Sequence, residues 1–209
     1  GLGDVYKRQS LFSKKDYKSL YESSSRADRE ELYRWIEYYK IKFKSRVYTP
    51  LNNSEKYTLV LMGRADFGLL GSYNKYKQTP FETFHVGGDG MTGSYTYATE
   101  TIGLRGYDNG ALTPYSDGRA YTRFSMELHF PFLLQPSSTI YGLAFVEGGN
   151  AWTSLENFNP FSLKRSAGVG VRIFLPMIGL MGIDWAYGFD KVQGEKGGGH
   201  FHFILGQEF

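Results

Sequence analysis

Arg105 lies in the stretch TIGLRGYDNGALTPY, between Leu104 and a Gly106–Tyr107 pair, inside a long connection flanked by strand-like runs. A guanidinium can fork onto a carboxylate through two parallel hydrogen bonds, a geometry that lysine cannot reproduce. Buried without a partner it would be costly, so the rest of the chain has to supply acidic groups if this loop is buried. The other sets with chemical potential are weaker. Ser125 and His129 stand four apart on one face, as hydrolase residues could, but no Asn or Asp is spaced to orient the histidine. His200 and His202 share a face with Glu208, yet that carboxylate lies several strand steps further on, and no metal site is expected. The Gly168–Val169–Gly170 run lacks the helix and third glycine of a dinucleotide loop, and EKGGGH lacks the G-x-x-x-x-G-K-[ST] pattern of a phosphate cradle. The residues therefore predict no enzyme, no cofactor and no metal.

The elements that must position Arg105 are set by composition and period. Cysteine is absent, which removes disulfide and thiolate chemistry. A net charge of +3 without a clustered patch gives no argument for nucleic acid. Aromatics reach 17% and glycines number 26, beside a hydrophobic fraction of only 41%. No apolar run approaches the roughly 20 residues that a membrane helix needs. Alternating polarity with many aromatics and no such run is the pattern of a membrane β-barrel, in which lipid-facing and lumen-facing residues alternate.

The period is two from about residue 35 onward. Tyr39, Ile41, Phe43 and Val47 alternate with Lys40, Lys42, Lys44 and Arg46, a basic row that a solvated lumen wall accounts for. Phe124, Met126, Leu128 and Phe130 oppose Arg123, Glu127 and His129. Val169, Val171 and Ile173 oppose Gly168, Gly170 and Arg172, and Ile183, Trp185 and Tyr187 oppose Gly182, Asp184 and Gly188. Phe201, Phe203, Leu205 and Phe209 oppose His200, His202, Gly206 and Glu208. Between Tyr141 and Val146 both faces are apolar, and the pattern leaves the parity open. Runs of about ten or more residues exceed the usual strand of ~5–6 in a soluble sandwich. Trp35, Tyr57, Trp152, Tyr187 and Phe209 near strand ends fit interfacial girdles. Eight strands are predicted, near residues 34–49, 55–72, 80–88, 119–132, 138–152, 164–176, 178–190 and 199–209. Residues 1–33 read as a ragged end and a charged loop or helix with a capping pattern at Ser25. The 34–209 region reads as barrel, with the 88–118 loop as its longest connection.

Here a family resemblance enters. GLRGYDNG resembles the [VL]-R-G-[FY] motif in the sixth extracellular loop of BamA and its relatives, the outer-membrane assembly factors. FETFHVGGDG, SMELHFPF, FVEGGNAW and SAGVGVRIF resemble neighbouring segments of that family in the same order, and FHFILGQEF is similar to its terminal strand. The resemblance implies all-β architecture, with these strands forming the C-terminal half of a sixteen-stranded antiparallel transmembrane β-barrel. Eight strands, with no leader and no soluble repeats before them, then predict a fragment. It implies an inward-folding loop whose motif is Leu104, Arg105, Gly106 and Tyr107. It also implies Glu127 and Glu147 as the lumen partners of Arg105, with Glu147 standing where the family commonly has Asp. The terminal strand, with Phe201, Phe203, Leu205, Gly206 and Phe209, would be a recognition element for barrel insertion.

The function implied is the folding and insertion of β-barrel proteins into the bacterial outer membrane. Implied partners are the outer-membrane lipid bilayer, unfolded outer-membrane protein clients and accessory lipoproteins of an assembly complex, with no nucleic acid. A TamA-like assembly factor and a two-partner secretion transporter are alternatives within the same resemblance. A small porin-like structural barrel is an alternative from a different class, since eight strands can close alone.

Overall fold

The computed structural model describes residues 17–34, 37–52, 54, 57–74, 76–79, 82–90, 99–113, 115, 117–135, 137–177, 179–192 and 197–206. These fall into two units, one holding residues up to 39 together with 71–80, the other holding 40–70 and 81 onward. In the first unit the charged N-terminal segment forms two short helices, α1 (Tyr17–Glu22) and α2 (Arg26–Leu32). Ser25 occupies the N-cap of α2 with extended backbone but makes no side-chain cap bond. Ser23 instead donates its hydroxyl to Asp28 at 2.5 Å. Trp35 lies outside the described residues.

The second unit is built on one sheet. Its strands are β1 (Tyr38–Pro50), β2 (Val60–Ser72), β5 (Ala120–Gln135), β6 (Ser138–Trp152), β7 (Lys164–Leu175), β8 (Gly179–Gly188) and β9 (Gly199–Leu205). A separate two-stranded sheet is formed by β3 (Thr83–Val86) and β4 (Thr99–Ile102), which pair in parallel. The large sheet runs β1-β2-β5-β6-β7-β8-β9, so β1 and β9 stand at the two ends of the order. Every pairing from β2 to β9 is antiparallel. At the β1–β2 turn the Leu51 amide donates to the Leu59 carbonyl at 2.8 Å. The β5–β6 turn is tight, pairing Gln135 with Ser138, and β7–β8 closes with Leu175 opposite Gly179.

One expected strand is not in this sheet. The run near 80–88 yields only β3, four residues long. The position beside β2 is already taken by β5, in unbroken register from Val60↔His129 to Leu69↔Ala120. The run also ends in Gly87, Gly88 and Gly90, all at positive φ, which L side chains rarely adopt. The described sheet therefore has seven strands rather than eight, and the segment from β2 to β5 becomes one long connection containing β3 and β4.

The apolar groups sit on two sides of this sheet for different reasons. One set is buried: Phe84, Val86, Ile102, Leu104, Tyr107 and Leu112 of the long connection pack against Leu70, Tyr121 and Ala151 of the sheet. The opposite face is apolar and open. Met126, Phe132, Val146, Val169, Ile183, Phe201 and Phe203 are exposed there, and the Phe43, Phe67 and Phe124 rings follow one another at 6.2 and 5.3 Å. Charged groups of the same strands point the other way, with Arg64, Asp66, Arg123, Glu147, Arg172 and Asp184 all buried. A water-soluble fold buries its apolar groups and solvates its charges; this sheet does the reverse, as a barrel wall in lipid must. The register also settles β6. Leu143 and Phe145 share the buried face with Glu147, while Val146 is exposed on the outer one.

This orientation has a direct test. Val169→Arg adds a charge at an exposed outer position, which on a soluble surface would change stability by less than about 0.5 kcal/mol. On a lipid face the cost should reach about 2–4 kcal/mol at mid-membrane depth. Urea unfolding of the full-length protein in lipid vesicles separates the two, and an unchanged midpoint would contradict the lipid-facing assignment.

Candidate loop-anchoring site

The long connection packs on the polar face of the sheet and is held there by charge. Gly88 and Leu104 form an isolated antiparallel bridge that closes its base, and the next residue is Arg105. Arg105 is buried, and its side chain meets carboxylates from three strands. Nη1 donates to Asp184 on β8 at 2.9 Å, and Nη2 donates to Glu147 on β6 at 2.6 Å and also to Glu127 on β5. The Arg105 backbone amide donates to the other Glu147 oxygen at 2.9 Å, so one carboxylate holds both main chain and side chain. The Phe145 ring lies beneath the guanidinium, 3.5 Å from its central carbon, adding an aromatic face to the acidic rim.

Each carboxylate has further partners. Ser125 Oγ and Arg123 Nη2 donate to Glu147 at 3.1 and 3.2 Å. Arg172 forks onto Asp184, with Nη2 at 2.6 Å and Nη1 on the second oxygen. His129 Nε2 lies 2.9 Å from Glu127. Ser125 and His129 therefore bind different carboxylates and make no nucleophile–base pair. Glycines on the same face provide room: a Cβ on Gly170 would fall 1.8 Å from Asp184 Oδ1, and one on Gly182 2.6 Å from Arg172 Nη1.

The residues after Arg105 dock the loop on the last strands. Gly106 has φ +90, and a Cβ there would come within 2.8 Å of Ser166 Cβ and 3.0 Å of the Gly188 nitrogen. Its amide donates to Nε2 of His202 on β9 at 2.9 Å, which requires that nitrogen to be unprotonated. Tyr107 donates its hydroxyl to the Arg165 carbonyl on β7 at 2.6 Å, and Leu104 is fully buried in the loop core. His200 turns to Asp108 at 3.2 Å, so the two histidines serve different loop residues. No group of three or more metal-ligating residues is found among the described residues. Phe201, Phe203 and Leu205 are exposed on the outer face of β9, and Gly206 follows at φ +89. Glu208 and Phe209 lie outside the described residues.

A second charged contact holds the loop at β4. Lys40 Nζ lies 2.7 Å from Glu82 and 3.1 Å from Glu100, and Lys42 Nζ is also 3.1 Å from Glu100. Lys40 and Lys42 of the basic row of β1 thus meet loop carboxylates, while Lys42 and Lys44 remain partly open to solvent. The sequence reading treated Arg123, Arg172 and Asp184 as lumen-facing by parity but did not link them to Arg105. Asp184 in particular was missed, and the available signal was its place opposite Gly170, a gap on a polar face.

A family model described as the Omp85 superfamily domain matches residues 24–209. The fold is similar to that of BamA from Haemophilus ducreyi, solved lacking POTRA domains 1–3, with a TM-score of 0.56 and 21% sequence identity. The match covers 80% of this chain and 34% of that one, so the chain spans about a third of the length of the structure it resembles.

Two outcomes follow for the loop. Gly106→Ala should expel it, because the added Cβ meets main chain and the φ is strained. Arg105→Lys keeps the charge but loses the fork onto three carboxylates; removing a partner from a buried ion pair costs about 3–5 kcal/mol, and lysine should recover only a minor part. Limited proteolysis within residues 99–113 of the full-length protein reads both, and wild-type resistance in either variant would count against the anchor. The β4 contact carries a pH dependence. Burial raises the Glu100 pKa, but hydrogen bonds and charges from Lys40 and Lys42 outweigh it and hold the carboxyl below its ordinary value. The contribution is therefore present at neutral pH and is lost as pH falls through that depressed value. Hydrogen-exchange protection of the Thr101 and Ile102 amides should weaken on acidification, and Glu100→Gln should flatten its share of the response.

Proposed function

The chain belongs to the Omp85 superfamily, and on that premise we propose that it forms part of an outer-membrane barrel that folds and inserts β-barrel proteins. Membership places it in a family of membrane-protein insertases and transporters; the insertase role is the finer reading. The observation that carries it is the inward loop, fastened by Arg105 to Glu127, Glu147 and Asp184 and by Gly106 to His202 on β9. A loop tied to both mid-sheet and terminal strands couples the lumen to the edge at which a client strand would pair. An unpaired strand edge templates addition of another strand, and main-chain hydrogen bonds supply the affinity. Such a process needs no covalent chemistry, so we assign no catalytic group, cofactor or metal. Clients would be unfolded outer-membrane proteins, accessory lipoproteins would complete the assembly, and the bacterial outer membrane would be its location.

Reconstitution tests this reading. The full-length protein in liposomes should accelerate acquisition of heat-modifiable, protease-resistant structure by an added barrel client. Arg105→Ala should reduce that acceleration while leaving the insertase's own barrel folded. Steady ion conductance without client folding would overturn the assignment in favour of a channel or secretion transporter.

A further inference from the structure

Two histidines of β9 meet the motif loop, and protons act on their contacts in opposite senses. β9 ends the strand order with β8 as its neighbour, so these contacts join it to more than the sheet ladder. His202 is buried, and its Nε2 accepts the Gly106 amide at 2.9 Å. A backbone N–H can only donate, so Nε2 must offer its lone pair and the ring hydrogen must sit on Nδ1. In the imidazolium both ring nitrogens carry hydrogen, and the amide hydrogen would then point at another hydrogen. Gly106 has no room to turn to a different acceptor. Its φ is +90, and a Cβ there would stand 2.8 Å from Ser166 Cβ and 3.0 Å from the Gly188 nitrogen. Protonation at Nε2 therefore leaves a buried amide unpaired, a state that folded proteins avoid.

The charged groups around His202 come from several elements. Asp89 faces it from the long connection, Glu147 from β6 and Asp184 from β8. Glu147 is already bound by Arg105 and Arg123, and Asp184 by Arg105 and Arg172. On its own strand the neighbour is His200, whose ring lies nearly parallel with centroids 6.2 Å apart. His200 Nδ1 is 3.2 Å from an Asp108 carboxylate oxygen, so a charge on that ring would strengthen its contact rather than break it. The Asp108 side chain is 80% exposed, however, and an ion pair open to water contributes little. The buried bond outweighs the exposed one, and acid should loosen the loop from β9.

We propose that His202 is a proton-sensitive latch between the motif loop and β9, closed while Nε2 is bare and released when Nε2 takes a proton. Arg105 keeps its carboxylates in both states, so release separates Gly106 from β9 without expelling the loop. The closed state holds no proton on Nε2 and the released state takes one up. The latch is therefore intact above the ordinary histidine range and weakens as pH falls through it. With a value of about 6.5 for the released ring, opening should become about tenfold more frequent between about pH 7.5 and 5.5. The inference does not depend on the insertase reading, because its readout contains no client. Hydrogen exchange of single amides in the full-length protein in lipid vesicles, divided by the intrinsic rate at each pH, measures the opening. Protection of the Gly106 amide should fall about tenfold over that range while the Arg105 amide, held by Glu147, keeps its own. His202→Gln presents an amide oxygen that cannot titrate, and it should hold Gly106 closed and erase the pH dependence. His200→Gln should leave the dependence in place. Protection of Gly106 that ignores pH in the wild type, an equal fall in His202→Gln, or loss of the fall in His200→Gln would overturn the latch. If the glutamine fails to hold the amide at any pH, the ¹⁵N shifts of wild-type His202 decide. A neutral ring with its hydrogen on Nδ1, together with the wild-type pH profile, supports the latch, and a hydrogen on Nε2 overturns it.

Discussion

One buried arginine organises this structure. Arg105 brings a full positive charge to carboxylates from β5, β6 and β8, among which Arg123 and Arg172 already stand. With the loop in place the three arginines balance Glu127, Glu147 and Asp184. Withdraw the loop and three carboxylates face two arginines on that face of the sheet. Ionised groups without partners in such a place are costly, whereas a fully paired cluster is close to neutral in stability and strong in specifying geometry. The cluster thus contributes less to net stability than to the choice of one loop position over others. Because its members come from β5 to β8, that choice also fixes four consecutive strands relative to the loop.

Much of this was legible in the sequence, for physical reasons that differ by element. The outer face could be read because a strand's side chains alternate strictly, so Phe124, Met126 and Ile183 on one side forced Arg123 and Asp184 to the other. Residues 80–88 misled because a short alternating run looks alike in a barrel wall and in a loop; only the pairing of β2 with β5 excludes it from the sheet. The β6 parity was hidden because Leu143 and Phe145 form a small buried apolar cluster with Ala186 on the otherwise polar face, where Phe145 also lies against the Arg105 guanidinium. Asp184 was missed as a partner because contact with Arg105 depends on register across three strand pairs, which no local pattern encodes. The Lys40–Lys44 row gave its face but not its company, since Glu82 and Glu100 reach it from a connection whose path only tertiary structure defines.

The two faces of the sheet therefore carry distinct demands. Inside, polar groups must find one another, and glycines at 170 and 182 clear space for Asp184 and Arg172. Outside, apolar groups need no specific partner, and Met126, Val146 and Phe161 line an open hollow beside Gly63. Arg165 and Tyr107 connect the faces through a single hydrogen bond. The loop thus contacts the lumen cluster, β9 through His202 and β7 through the Arg165 carbonyl.

The central claim is that Arg105 and Glu147 act as one energetic unit that holds the loop inside. A double-mutant cycle with Arg105→Ala, Glu147→Ala and the pair, read as the loop-opening free energy from native-state hydrogen exchange in the full-length protein, measures it directly. The account predicts that the two changes couple strongly, with an interaction energy of about 1–3 kcal/mol. Additivity within about 0.5 kcal/mol would show that the residues act independently and would contradict it.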